Sequence, residues 1–565
     1  MQKFEDYTYE RPKMKRVKAE FEELLQKFAQ AKSVDEATNA IDAINKLRNR
    51  LSTMSMLVLI RSSIDTNDEY YEKEQDFFDE VEPVIQEIST EFYKELVKTP
   101  FRDKLEEKWG KQLFQIADFE IKSFSPEIIP LLQKENKLSS QYARLVASAE
   151  VEFQGETYTL AQLYPFTEHS NRNIRKEAIN AYTGFFEENQ TEFDTIYDDL
   201  VKVRHEIAVT IGYKNFVELG YLRMLRIDYN AEMVEAYRQQ VRDFIVPLVT
   251  KLYKKQEKRI NVDQLKFHDE SFLFASGNAT PKGSPEWIIE NGKKMYEELS
   301  EETREFFQFM LDRHLMDLEA KKGKEAGGYC AYIEDYQSPY IFANFNGTSA
   351  DIDVLTHEAG HAFQAYSSRK FELPEYTDPT HEAAEIHSMS MEFFTWPWME
   401  LFFKEDTLKY KYTHLTEALK FLPYGAAVDE FQHLVYENPD WTPEERNEAW
   451  NKLEETYLPH REFDDNAYLE SGRFWQRQGH IYEDPFYYID YTLAQVCAFQ
   501  FWKRAQEERE SAWKDYLHLC MLGGSKSFLE LVKEAGLNSP FDDGTVKSVV
   551  DAIEKWLDDV DDTKL

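Results

Sequence analysis

His357-Glu358-Ala359-Gly360-His361 constrains this chain more than any other stretch. Two histidines four residues apart lie on one face of an α-helix, so both imidazoles can reach one ion. Glu358 then stands beside that face and can reach a water on the metal. That is the ligand-and-base arrangement of a zinc hydrolase. The flanks agree with a helix. Thr348 and Ser349 are candidate N-caps, with Asp351 three residues after Thr348. Ile352, Leu355, Ala359, Ala362 and Phe363 recur at helical spacing and supply a buried face.

A helix of this kind needs a core to pack against. The chain has 565 residues, 42% hydrophobic and 15% aromatic, which is ample apolar material for one. Such a length ordinarily suggests several domains. The net charge of −38 repels nucleic acid and anionic membranes, so neither is expected as a partner. The acidity favours solubility and names no substrate. Cys330, Cys497 and Cys520 are odd in number and widely spaced, implying neither a disulfide framework nor a cysteine zinc site. Met1 to Tyr9 is polar and lacks the apolar core of a signal peptide. The longest apolar run, Met54 to Ile60, is too short to span a bilayer. A cytoplasmic location is the expectation.

The fold class reads as mainly α. Met14 to Ala29, Val34 to Ile60, Tyr71 to Leu96 and Pro126 to Ala149 carry helical periodicity, and so do Arg172 to Gly212 and Tyr229 to Lys258. Phe185, Phe186, Phe193 and Tyr197 read as core. Val151 to Leu160 alternates around Gly155 and predicts a small hairpin. Phe274 to Pro285 is a loop rich in breakers, and Trp287 to Asp317 returns to helix. Gly327-Gly328 suggests backbone lying close to another group. Tyr329 to Ile333 and Pro339 to Phe345 read as strands, joined as a hairpin by Glu334 to Ser338.

The second of those strands runs into the histidine helix. A peptide can be held beside a metal by the free edge of a strand through main-chain hydrogen bonds. Ile341 to Asn346 is therefore the expected substrate edge, with Ile341, Ala343, Asn344 and Asn346 as binding positions; the plainer reading is an ordinary buried strand.

A third ligand must come from elsewhere. A metzincin would carry Gly and His where this chain has Gln364 and Ser367. A second helix is punctuated by Asp378 as N-cap, Pro379 at its first position, and Pro397 beyond it. At about 100° per residue, Glu385 and Glu392 nearly coincide, His381 and Glu382 lie within about 60° of Glu385, and His387 falls on the far side. Spacing alone leaves His381, Glu382, Glu385 and Glu392 as candidates.

The motif, followed by Glu385-Ile386-His387-Ser388-Met389-Ser390-Met391-Glu392-Phe393, resembles the thimet oligopeptidase and oligoendopeptidase F family of zinc peptidases. Within it the closer likeness is to the bacterial oligoendopeptidase F or Pz-peptidase branch. Glu385 stands 24 residues after His361 and opens an E-x-x-S-x-x-x-E segment, where that family carries its glutamate ligand. The resemblance therefore selects Glu385, and it matches Glu392 to the second acid, a group supporting the ligands. The family also has an H-x-n-Y-x-x-Y element, matched here by His480, Tyr488 and Tyr491. The resemblance places His480 and Tyr488 at the scissile carbonyl and Tyr491 on the peptide. Thimet-type relatives carry glycines within this element. Here Glu483-Asp484-Pro485 stands between His480 and Tyr488 with no glycine, so their hinged loop motion is not carried over.

The expectation is a zinc-dependent oligopeptidase that cleaves internal bonds of short peptides. His357, His361 and Glu385 hold one Zn2+, and Glu358 is the general base. Asp353, one turn before His357, or Glu382 would orient that histidine. The resemblance implies a large, mostly helical ellipsoid of two halves around a substrate channel, with a small β-sheet beside the zinc helix. Residues 1–200 would form an N-terminal helical region and 201–565 the catalytic region, intertwined in one fold. Two other readings stay open: a zinc exopeptidase of the dipeptidyl carboxypeptidase type, and a catalytically silent helical peptide-binding protein.

Overall fold

Apolar spacing sets the N-terminal helices. Val17, Phe21 and Phe28 are the buried face of Met14–Ala29 in the computed structural model, which describes residues 2–565. Val34–Ile64 starts where the Ser33 hydroxyl accepts from Glu36 N at 3.2 Å, and Glu69–Lys98 starts on the Asp68 carboxylate. These helices share a core with Leu113, Phe114, Leu373 and Tyr376. The last two lie between the histidine helix and the next, so the N-terminal helices brace the segment that joins them. Arg48 closes the contact through Glu375 at 2.6 Å, and Tyr376 accepts from Leu113 N at 3.0 Å. A larger apolar cluster runs from Phe4 to Leu557 and carries the rest of the chain.

The small hairpin forms from β1 (Val151–Phe153) and β2 (Glu156–Tyr158), turning on Gln154 and Gly155 at φ 51° and 88°. Two successive positive φ values give the turn the twist that suits an antiparallel pair.

The other sheet joins β3 (Met316–Glu319), β4 (Tyr329–Ile333) and β5 (Ser338–Phe345) in the order β3-β5-β4. Two expectations are corrected here. The helix read over Trp287 to Asp317 is two helices, Pro285–Leu299 and Glu301–Asp312, followed by β3. His314 at φ 54° reverses the chain, and the parallel pairing of β3 with β5 holds it there. In consequence β5 is the central strand and cannot be the substrate edge. Ile341 donates to Leu315 O at 2.9 Å on one side, while β4 pairs on the other. Ile341 and Ala343 are fully buried. Asn344 donates to Glu325 O and Gly327 O at 2.9 and 2.8 Å, and Asn346 to Ala161 O at 3.2 Å, so both hold loops.

After β5 comes the motif helix, Ala350–Ser368. Ser349 occupies its N-cap, but the cap bond expected of Ser349 or Thr348 is not made. The Asp351 carboxylate instead reaches back to Asn346 N and Gly347 N at 2.8 and 2.9 Å, pinning the turn out of the sheet. The next helix spans His381–Phe394 with Thr380 as N-cap, so Asp378 and Pro379 do not begin it. Tertiary packing decides that start. Gly524 N donates to Tyr376 O at 3.0 Å, and a Cβ on Gly524 would come within 2.3 Å of Asp378 O. This helix packs between the motif helix and the long helix Tyr488–Leu522. Among the described residues no helix is long and apolar enough to cross a membrane.

Candidate active site

Gly360 lets the motif helix and the helix that carries Glu385 touch. A Cβ there would lie 2.6 Å from Ser388 Cα and 2.7 Å from His387 O. The close crossing carries Glu385 under the histidines. Its Oε2 is 3.1 Å from His357 Nε2 and 3.3 Å from His361 Nε2. The three ligand atoms all lie within 4.8 Å of one another.

Hydrogen bonds on the far side set the state of His357. Trp396 Nε1 donates to His414 Nδ1 at 3.0 Å, so His414 carries its proton on Nε2 and donates to Glu392 Oε2 at 2.6 Å. Glu392 Oε1 then accepts from His357 Nδ1 at 2.7 Å. That turns His357 Nε2, like His361 Nε2, towards the Glu385 carboxylate. Two imidazoles and one carboxylate converging in this way are a zinc donor set with a position left over, and a metal would take the place of the protons shared between them. The residues therefore fit the metal that the motif implies. Burial opposes ionisation of Glu385, but His361 and His357 outweigh it and hold the carboxyl well below the usual range. Glu392 is likewise opposed by burial and held down by its bonds to His357 and His414.

Glu358 stands apart from these pairs. It is 5% exposed and its Oε2 has no hydrogen-bond partner. Burial pushes its carboxyl up, against the pull of His357 and His361. A buried carboxylate raised in this way, beside a metal set and without a partner, suits proton transfer. Gly328 is the close approach signalled by the glycine pair, since a Cβ there would be 3.4 Å from Glu358 Oε1.

The carboxylate that orients His357 is Glu392. Neither Asp353 nor Glu382 takes that part. Asp353 accepts from Tyr410 at 2.6 Å, and burial pushes its carboxyl up to about 6. Helical side chains lean towards the N-terminus, which carries Asp353 away from the following turn. Glu382 is fully buried with both carboxyl oxygens unpartnered, on the side of Arg226 and Asp490. His381 packs at a tilt against Tyr487, with ring centroids 4.5 Å apart, and lies outside the group of His357, His361 and Glu385; His387 is buried, and its carbonyl accepts from Tyr516 at 2.8 Å.

The tyrosine element faces the ligands from the other wall. Tyr424 donates to Gln478 Oε1 at 3.1 Å, which orients the amide to donate from Nε2 to His480 Nδ1 at 2.9 Å. His480 then donates from Nε2 to the Tyr491 oxygen at 3.0 Å, freeing the phenolic proton of Tyr491 for another acceptor. Tyr487 donates to Glu385 Oε1, a contact that sequence reasoning missed. No local pattern distinguishes Tyr487 from its neighbours; only the meeting of two distant helices does.

A cavity of about 600 Å³ runs between these walls, bordered by Glu358, the ligands, His480, Tyr487, Tyr491 and strand β4. Tyr488 borders an adjoining cavity that also has His480 and Tyr491 as a wall. Because Ile341 turns its N–H towards Leu315, its partner Cys330 directs its own main-chain groups away from β5. Tyr332, opposite Pro339, does the same. The free edge beside Glu358 and His361 is thus β4.

Arg226 and Gln432, also missed, hold the turn before the tyrosines. Phe486 sits at φ 70°, costly for a bulky residue. Its N donates to Gln432 Oε1 at 2.6 Å, its carbonyl accepts from Arg226, and its ring fills the space that Gly220 leaves. Arg226 also pairs with Asp490 at 2.8 Å, both fully buried.

Two family models match the chain. The one described as the Peptidase M3 N-terminal domain covers residues 4–124, and the one described as Peptidase family M3 covers residues 289–550. A solved structure of Pz peptidase A with an inhibitor is 60% identical, covers 99% of this chain and 100% of its own, and superposes with a TM-score of 0.99. The oligoendopeptidase F homolog of Borreliella burgdorferi is 26% identical across 72% of this chain and 71% of its own length. Oligopeptidase PepF of Bacillus subtilis is 22% identical across 94% of this chain and 82% of its own.

Proposed function

The chain belongs to peptidase family M3, in its oligoendopeptidase F and Pz-peptidase branch, and is a metallo-endopeptidase; on that premise we propose that it cleaves internal bonds of short peptides with zinc held by His357, His361 and Glu385. The observation that carries this reading is the convergence of both histidine Nε2 atoms on Glu385, beside the unpartnered carboxylate of Glu358. Zinc in that set supplies Lewis acidity, polarising a peptide carbonyl and acidifying water to a pKa of roughly 7.

The chain's own groups do the rest. Glu358 takes a proton from the attacking water and returns it to the leaving amine. Glu392, backed by His414, holds the His357 ring with its Nε2 lone pair towards the centre. The parts expected of the two tyrosines are exchanged in this proposal, because Tyr491 and not Tyr488 borders the cavity of Glu358: Tyr491, backed by His480, offers its O–H to the carbonyl oxygen as negative charge develops there, and Tyr488 supports the substrate on the adjoining side. The main-chain groups of Cys330 and Tyr332 suit an extended peptide added as a further strand.

The test is a length series of internally quenched peptides, with products identified by mass spectrometry and metal content measured on the same sample. Internal cleavage of short peptides by zinc-replete protein is expected. Release of C-terminal dipeptides alone would favour an exopeptidase, and no cleavage at all would favour a peptide-binding protein. Glu358→Gln should keep its zinc and lose about 10²-fold or more in kcat.

A further inference from the structure

Beyond Tyr488 and Tyr491 lies the second cavity, of about 440 Å³, and its walls are acidic. Glu168, Asp353, Glu392 and Glu417 border it, with no lysine or arginine among the described lining residues. Two of these acids have partners: Glu392 bonds to His357 and His414, and Asp353 to Tyr410. Glu417 is exposed and shared with Lys420 at 2.9 Å. Glu168 has no cation beside it. Burial pushes its carboxyl up to about 7; Asn278 opposes the shift, and Glu417 and Asp353 add to it. A carboxyl in that situation gains when a cation arrives.

A second feature is independent of charge. Gln495, 4% exposed, and Thr413, 8% exposed, both border the cavity, and Gln495 Nε2 and Thr413 Oγ1 have no hydrogen-bond partner. Buried polar atoms are normally paired, so two unpaired ones on one small cavity mark a place where a ligand completes them. The amide donates to a carbonyl, and the hydroxyl accepts from an ammonium or guanidinium. Tyr164, Phe421 and Tyr488 add aromatic surface suited to the methylene stem of a long basic side chain. His480 and Tyr491 line both cavities, so this one adjoins the cavity that holds Glu358 and the β4 edge.

We propose that this cavity is a substrate subsite for a positively charged group of the peptide, received by Glu168 with Thr413, while Gln495 donates to a peptide carbonyl beside it. The charge is that of a lysine or arginine side chain or of a free amino terminus. The inference rests on the peptidase reading and adds a substrate class to it.

The experiment uses the zinc-replete full chain and one quenched peptide cleaved at a known bond. Lysine is exchanged for norleucine, or arginine for citrulline, position by position; a second arm compares free with acetylated amino termini. The readout is the ratio of kcat/KM for charged over neutral peptide within each protein, so a general loss of activity cancels. A ratio of about tenfold at one position is expected, as for a hydrogen-bonded charge, carried mainly by KM. A preference seen only in the terminal arm assigns the amino terminus. Glu168→Gln should bring the ratio close to one, and Thr413→Val should lower it. The proposal is overturned if the parent shows no preference in either arm while cleaving neutral peptides, or if the preference survives in Glu168→Gln. Failure to cleave any peptide would instead strike the peptidase reading.

Discussion

Gly360→Ala should separate metal binding from folding. The added methyl would meet Ser388 Cα at 2.6 Å and His387 O at 2.7 Å, both backbone, with Met391 Cβ at 3.0 Å. No side-chain rotation relieves a clash with backbone in the middle of a helix. Restoring ordinary contact at 3.4 Å requires the motif helix and the Glu385 helix to part by roughly 0.8 Å. Overpacking of this kind costs about 1–3 kcal/mol. Alanine is better than glycine in a helix by about 1 kcal/mol, so the net loss of stability is about 0–2 kcal/mol. The ligand set has no such compensation. Metal–ligand distances hold within about 0.2 Å, and Glu385 would be displaced by several times that relative to His357 and His361. Zinc affinity should therefore fall by about 10- to 100-fold or more, while the metal-free protein melts within a few degrees of the parent. Competition with a chromophoric chelator gives the affinity, and circular dichroism of the metal-free protein gives the melting temperature. A Gly360→Ala protein that binds zinc within about threefold of the parent would refute the claim that this crossing positions the ligands.

Glu385→Gln should weaken zinc binding, and Glu382→Gln should not; the reverse result in the same chelator titration would overturn the ligand assignment. Arg226→Met leaves Asp490 buried without its partner and should cost about 3–5 kcal/mol in chemical denaturation. The double variant with Asp490→Asn should recover much of that loss, and a double variant no better than the single one would mean the pair is not the clamp. Glu334 gives a pH signature. Burial pushes its carboxyl up to about 8, with Asp378 and Glu375 adding and Arg48 opposing. A raised folded-state value means the folded protein binds more protons than the unfolded chain, so this group's contribution falls as pH rises from about 4.5 to about 8. Glu334→Gln should thus gain in melting temperature relative to the parent as pH is raised from 5 to 8, and a constant difference would refute the assignment.

The expectations that met the structure best were those set by local geometry. Helical periodicity placed Met14–Ala29 at its bounds, because the pattern needs only the residues in that segment. Gln154-Gly155 forms the hairpin turn at positive φ for the same reason. The angular coincidence of Glu385 and Glu392 was also legible, since both follow from one helix; in the fold, one faces His357 Nε2 and the other bonds its Nδ1.

What the amino-acid sequence determined alone was the motif helix, the second acidic helix and the kind of chemistry their side chains can perform. Everything that depends on a partner far along the chain was decided by the tertiary structure. The central place of β5 comes from β3, a four-residue strand too short to announce itself, and it moves the free edge to β4. Asp353 is taken by Tyr410, and the support of His357 passes to Glu392 through His414 and Trp396. The start of the Glu385 helix is set by the Gly523–Gly524 turn rather than by Asp378. A periodic pattern records which face of an element is buried, but which element covers it depends on packing that brings together residues over a hundred positions apart, and that packing assembles the site.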